Sequence, residues 1–207
     1  MIEDLNWRYA TKKFDKLKKI SPDDISRIMD ILTLTPSAYG LQPWKFIIVE
    51  NPETREELKP VSWNQDQIVS ASHLLVICTV DNIDEAFIDA YIDSVSQIRW
   101  IQKEYLASYR DMMIRNIAML DSKSKKSWAR EQAHIALWNL STSLAHMRID
   151  LCPIAWFDNE AYDEILWLKE EWLSSCLVCP IWYRSEDDDY IKLPKVRFEK
   201  DKLFIKK

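Results

Sequence analysis

Apolar residues recur along the chain with two periods. Ile25, Ile28, Met29 and Leu32 follow one another at i, i+3, i+4 and i+7, the spacing of one helix face. Ser21-Pro22-Asp23-Asp24 precedes them with an N-cap hydroxyl, a proline at the first helical position and acids at the positive end of the dipole, and Pro36 marks the stop. After a turn around Gly40, residues 44–50 read as a strand by their β-branched and aromatic content, and Asn51-Pro52-Glu53-Thr54 restarts a helix with the same cap chemistry. Residues 74–80 form a second buried strand. From about Asp84 to Met147 the chain reads as helices, with Ile88, Tyr91, Ile92 and Val95 on one stripe and Ala133, Ala136, Leu137, Leu140, Leu144 and Met147 on another. A shorter helix over 162–168 precedes a strand near 175–183, and Lys202-Leu203-Phe204-Ile205 is apolar enough to pair with another segment. Helices and well-separated strands without regular β-α alternation predict an α+β fold in a single domain over residues 1–207.

Composition narrows the class of partner. At 47% hydrophobic and 29% charged residues the chain is globular, and its formal charge of −5 gives no general attraction for nucleic acid or anionic lipid. Any anion must therefore be held by a local basic cluster. No apolar run is long enough to span a membrane and the first residues lack the basic and apolar regions of a signal peptide, so a cytoplasmic protein is expected. Cys176 and Cys179 have C-x-x-C spacing, but they lie in an apolar strand, where positions three apart point to opposite faces. They read as buried structural thiols, as do Cys78 and Cys152, and no metal site is expected. His73, His134 and His146 do not recur at ligand spacing.

Two basic pairs stand out in this acidic chain, Arg8 with Lys12 and Lys195 with Arg197. Arg offers bidentate geometry to a phosphate and Lys a point charge, but spacing alone favours a solvated surface. The surrounding motifs are more specific. Arg8-Tyr9-Ala10-Thr11-Lys12-Lys13-Phe14-Asp15 resembles the opening motif of the FMN-dependent nitroreductase family, and residues 36–46, Pro36-Ser37-Ala38-Tyr39-Gly40-Leu41-Gln42-Pro43-Trp44-Lys45-Phe46, resemble its next landmark. Trp63-Asn64-Gln65-Asp66-Gln67, Cys152-Pro153-Ile154-Ala155-Trp156-Phe157-Asp158 and Leu193-Pro194-Lys195-Val196-Arg197-Phe198 follow in family order, so the resemblance spans residues 5–200.

That resemblance implies a central, mainly antiparallel sheet surrounded by helices, with the C-terminal segment exchanged across a homodimer. It implies FMN as cofactor and NADH or NADPH as co-substrate, with a small acceptor such as a nitroaromatic or quinone reduced by a ping-pong mechanism. Arg8, Tyr9, Ala10 and Lys12 would meet Lys195 and Arg197 at the FMN phosphate and ribityl chain. Asn64 and Gln67 match positions used against the polar flavin edge. Ser37, Ala38, Tyr39, Gly40 and Gln42 match a loop that reaches the flavin of the other subunit. Pro153, Ile154, Ala155 and Trp156 match the strip along the isoalloxazine, where a backbone N–H at the family's glycine points at N5. Many relatives carry Glu before that glycine, whereas this chain has Ala155, so no catalytic side chain is assigned. The rival expectation is an FMN-binding protein that sequesters or senses without turnover.

One glycine and ten tryptophans in 207 residues form the strongest compositional departure, since average usage would give about fourteen glycines. Trp44, Trp63 and Trp128 match family tryptophans and Trp7 is compatible with one. Trp100, Trp138, Trp156, Trp167, Trp172 and Trp182 match glycine positions instead. Forcing a bulky residue into a left-handed backbone costs roughly 1–2 kcal/mol, and overpacking costs ~1–3 kcal/mol where the site is buried. The pattern predicts that one codon, UGA, means glycine in the source organism, making these six positions glycine in the native protein. Arg148, at a glycine-like helix end, falls outside that explanation.

Overall fold

Five helices begin on the same chemical device. In α2 (Pro22–Thr33), after the short α1 (Ile2–Trp7), the Ser21 hydroxyl accepts the Asp24 N–H at 3.1 Å. Strand β1 (Trp44–Val49) leads into α3 (Pro52–Leu58), where Asn51 Oδ1 accepts the N–H groups of Glu53 and Thr54 at 2.7 and 3.2 Å. Then come α4 (Gln67–Ser70), β2 (His73–Val80), α5 (Glu85–Arg99), α6 (Ala107–Ala118) and α7 (Ser122–His146), with Asp84 capping α5 and Asp121 capping α7. The chain closes with β3 (Asp150–Leu151), α8 (Asn159–Ile165) capped by Asp158, β4 (Leu173–Trp182) and α9 (Lys200–Leu203). Each cap satisfies a backbone donor that the first helical turn leaves without a partner. These elements come from a computed structural model that describes residues 1–15 and 17–207.

The sheet runs β1-β2-β4-β3 with every pair antiparallel, an α+β arrangement as expected from the pattern. Alternation along β2 divides the core. Leu74, Val76 and Cys78 face a cluster with Val178, Leu58, Ile68 and Tyr162, under α3, α4 and α8. Leu75 and Ile77 face Ile28, Leu32, Ala133, Leu140 and Leu144, where α2 and α7 cover the opposite side. A third cluster joins α5, α6 and the start of α7 through Ile88, Ile92, Met113, Ile117 and Ala129. The apolar stripes of α2, α5 and α7 thus face the core as their spacing predicts, except that Met29 on α2 is exposed. The tail does not pack against the rest of the chain: Leu203, Phe204 and Ile205 are all exposed.

The cysteine pair is a correction. Register along β2 and β4 passes from Ile77↔Leu177 to Cys78↔Ser175, so Cys176 is an extra, unpaired residue in a β-bulge. The bulge resets the alternation, and Cys176 and Cys179 pack in one core cluster rather than on opposite faces. Both are free thiols, and among the described residues no His, Cys, Asp and Glu cluster could hold a metal.

Three of the six glycine-like tryptophans have the backbone that favours glycine. Trp100 terminates α5 at φ 59°, and Trp167 and Trp172 bracket a helical turn at φ 57° and 56°. Arg148 is also left-handed, at φ 60°, and so is Trp63, which the family pattern had counted among true tryptophans. Trp182 is buried and its indole Nε1 has no acceptor. Trp138 projects from α7 with 57% exposure, so close packing within the chain does not explain a glycine there.

Candidate functional site

The site grows from a segment with no regular structure. Beyond α1 the backbone extends at Arg8, and Ala10 bridges Leu151 of β3 in parallel while Phe14 bridges Arg184 just after β4. Thr11 Oγ1 donates to Asp150 Oδ1 at 3.0 Å, and Asp150 also accepts the Arg184 backbone N–H at 2.8 Å. Residues 8–14 are therefore laid along the β3 edge. Arg184 stacks over both Trp7 and Tyr9, with its guanidinium carbon 3.7 and 4.6 Å from the ring centroids. Tyr9 thereby braces the segment through its ring.

Asp188 supplies a second clamp. Its Oδ2 accepts the N–H groups of Lys12 and Lys13 at 2.8 and 3.1 Å and the Tyr9 hydroxyl at 3.0 Å, and its Oδ1 accepts the Tyr190 N–H at 3.1 Å. Burial pushes the carboxyl upward, but the backbone donors outweigh it and hold Asp188 below its ordinary range.

These clamps gather cations. Lys195 Nζ donates to the Arg8 carbonyl, and Arg8 loses affinity for its proton through burial first and through Arg197 second. Lys195 is lowered by burial and then by Arg8, Arg197 and Arg184. Among the described residues, none of Arg8, Lys12, Lys195 and Arg197 forms an ion pair with a carboxylate. Cations that repel one another and lack a protein counter-ion make a cradle for a multiply charged anion.

The strip after β3 runs beside this cradle. Ile154 exchanges two backbone bonds with Val178, at 2.8 and 2.9 Å, which pins the strip to β4. Among the described residues the N–H groups of Ala155 and Trp156 have no protein acceptor, and Trp156 is 78% exposed. Pro153 is half-buried at the start of the strip. The Asp158 N–H donates to the Val61 carbonyl at 2.9 Å, which brings the segment holding Asn64 and Gln67 alongside. Asn64 is left-handed at φ 55°, and Gln67 is buried at the start of α4.

Loop 37–42 stands apart. Ala38 N–H donates to Gln132 Oε1 at 2.8 Å, Gln42 N–H to Ser37 Oγ at 2.7 Å, and the Tyr109 hydroxyl to the Tyr39 carbonyl at 3.0 Å. Its hydrogen bonds run within the loop and to α2, α6 and α7 rather than to the cradle. Gly40 and Gln42 instead line a groove of ≈ 670 Å³ between α2, β1 and α5, with Leu32, Phe46 and Ile98 in its walls.

Asp150, Arg184 and Asp188 were missed by sequence reading. Asp188 sits in Glu186-Asp187-Asp188-Asp189, a run that looks like solvated charge, and its partners lie about 175 positions away. Only its place five residues before the Leu193-Pro194-Lys195 motif offered a signal.

Fold and site together define a class: an α+β protein that presents an anion cradle beside a strip of open backbone donors. The fold is shared with solved structures. A Staphylococcus epidermidis protein described as an NAD(P)H:FMN oxidoreductase superposes with TM-score 0.84 at 21% identity, covering 99% of this chain and 94% of that one. A nitroreductase from Exiguobacterium sibiricum, solved in complex with FMN, superposes with TM-score 0.81 at 19% identity over 100% and 96% of the two chains. The chain belongs to the nitroreductase family, whose sequence profile matches residues 5–180. A Staphylococcus saprophyticus relative that carries an NAD(P)H nitroreductase name is 36% identical over 170 residues, 80% of this chain and 78% of that protein.

Proposed function

We propose that this chain is a cytoplasmic FMN-dependent oxidoreductase that passes reducing equivalents from NADH or NADPH to small acceptors, such as nitroaromatics or quinones, in a ping-pong cycle. The observation that carries the reading is the convergence of Arg8, Lys195 and Arg197, without carboxylate partners among the described residues, near the unpaired N–H groups of Ala155 and Trp156. The cradle fits a phosphate monoester dianion, which needs several convergent donors. Arg8, Lys12, Lys195 and Arg197 would hold the phosphate end, with Tyr9 and Ala10 anchoring the segment that carries the first two, and the amides of Asn64 and Gln67 would meet the polar ring edge. The strip from Pro153 to Trp156 lies along the ring, where its backbone N–H groups favour the electron-rich reduced form. Bound FMN supplies the two-electron chemistry; the protein supplies binding, orientation and electrostatics.

The same reading makes the working unit a homodimer. Strand β1 ends the sheet with an open edge, the ≈ 670 Å³ groove lies beside it, and the apolar residues Leu203, Phe204 and Ile205 extend exposed from the body. A partner's C-terminal segment placed in that groove satisfies both surfaces and sets Ser37, Ala38, Tyr39, Gly40 and Gln42 at the subunit boundary. Among the described residues no helix is long and apolar enough to cross a membrane.

A second reading, an FMN-binding protein without turnover, draws on Trp156, whose exposed indole stands on the strip, and on Ala155 in place of a carboxylate. An anaerobic titration of FMN-loaded protein with NADH and NADPH decides between them. Bleaching of the flavin absorbance, followed by reoxidation with a quinone, is the expected result. Flavin that stays oxidised at saturating NADH and NADPH overturns turnover and leaves the binder.

A further inference from the structure

We infer that Asp188 is the positioning residue of the anion cradle: it assembles the cations of the two chain ends without neutralising them. This rests on reading the cradle as the seat of the FMN phosphate.

Asp188 is 1% exposed, and all four of its donors are backbone N–H groups or the Tyr9 hydroxyl. None is a Lys or Arg side chain. Lys12 and Lys13 are held by their backbone N–H groups at 2.8 and 3.1 Å, so Asp188 engages neither ammonium. On the other side Asp188 caps the turn Asp189–Lys192, which delivers the chain to Leu193, Lys195 and Arg197. The Ser185 N–H, donating to the Lys13 carbonyl at 2.9 Å, ties the same two loops from the opposite direction. One buried carboxylate, 176 positions from Lys12, thus ties the backbone of the segment that carries Arg8 and Lys12 to the turn that leads to Lys195 and Arg197.

Two physical accounts of this residue predict opposite signs. As a charge alone, Asp188 opposes anion binding, and removing it tightens a phosphate. As a positioning group, it holds the donors in place, and removing it loosens the phosphate even though a negative charge has gone. Asp188→Asn is the informative change because it keeps size and shape. An amide has one accepting oxygen, so either the Tyr190 N–H or the Lys12, Lys13 and Tyr9 donors must face an NH₂ group.

The test is a fluorescence titration of apo-protein with FMN and with riboflavin, which lacks the phosphate. Wild-type protein is expected to prefer FMN. Asp188→Asn should weaken FMN about tenfold, the loss of one or two charge-assisted hydrogen bonds, and leave riboflavin within about twofold. Tyr9→Phe removes one donor without changing charge and should show the same selectivity at about threefold, which keeps the test decisive if the Asp188 variant does not fold. Equal weakening of both ligands means a general structural role and overturns the inference, as does unchanged or tighter FMN binding. Wild-type protein that binds FMN and riboflavin equally overturns the phosphate reading of the cradle, a result distinct from a wild-type preference that survives in both variants.

Discussion

Arg184 lies over Trp7 with its guanidinium carbon 3.7 Å from the ring centroid while its Nη2 grips Asp150 at 2.6 Å. Asp150 is 2% exposed and also receives Thr11 and the Arg184 backbone, so one carboxylate joins α1, the basic segment and the end of β4. Breaking such a pair from one side strands a charge in a poorly solvated place. Asp150→Ala is expected to destabilise the fold by about 3 kcal/mol, read as a lower urea midpoint with an unchanged slope. A loss of less than about 1 kcal/mol would reduce the pair to a surface ion pair.

The only glycine permits a test of backbone geometry. Gly40 has φ +77°, and a Cβ there would lie 2.6 Å from the Tyr91 hydroxyl oxygen. Gly40→Ala should cost about 1–2 kcal/mol from the left-handed backbone, with the clash in addition. Adding Tyr91→Phe removes the 2.6 Å contact and should return most of the steric part, leaving the backbone part and a ring carbon at 3.2 Å. Thermal unfolding of both variants measures the split; equal melting temperatures would show that the Tyr91 contact costs nothing.

Tyr162 governs an alkaline limb. Burial pushes its hydroxyl up to about 12, against the lowering effect of the Ser62 hydrogen bond. The folded state therefore holds the proton more tightly than the unfolded chain. Its contribution is complete below the ordinary value of 10.0 and drains away as pH rises through about 12. Tyr162→Phe should cost about 1 kcal/mol near neutrality, and its deficit should shrink over that interval. A deficit independent of pH would show that Tyr162 does not titrate differently in the two states.

Mass spectrometry of protein from the native host addresses the tryptophans. Six Trp-to-Gly differences, at 100, 138, 156, 167, 172 and 182, are expected. The left-handed backbone at Trp100, Trp167 and Trp172 and the orphaned indole of Trp182 support glycine at those four. Trp63 at φ 60° adds a seventh position to inspect. A mass with all tryptophans present refutes the recoding.

What could be read along the chain was what is local. Ser21, Asn51 and their capped helices, and the stripes of α2 and α7, depend on neighbours within four residues. The two-residue β3 and the six-residue α1 are too short to show a period, and neither was anticipated. The bulge at Cys176 was hidden because it exists only relative to β2. At the site the cations were visible as residues, but their meeting was implied only by family motifs. Asp188 and Asp150 escaped because Lys12 and Thr11, through which they hold the basic segment, lie more than a hundred positions away.

Deleting residues 199–207 tests the exchange of tails. The shortened chain should elute as a monomer at concentrations where the full chain is a dimer, with light scattering giving the mass. A dimer that persists without the tail would place its main contacts elsewhere.

The open edge of β1 also bears on how the molecule is made. Under the proposed exchange of tails, the last strand of the sheet would be completed by another chain, and the final folding step would be a collision between two nearly formed protomers. Refolding would then include a phase whose rate rises with protein concentration, and before that collision the bare edge of β1 would be open to pairing with the wrong neighbour.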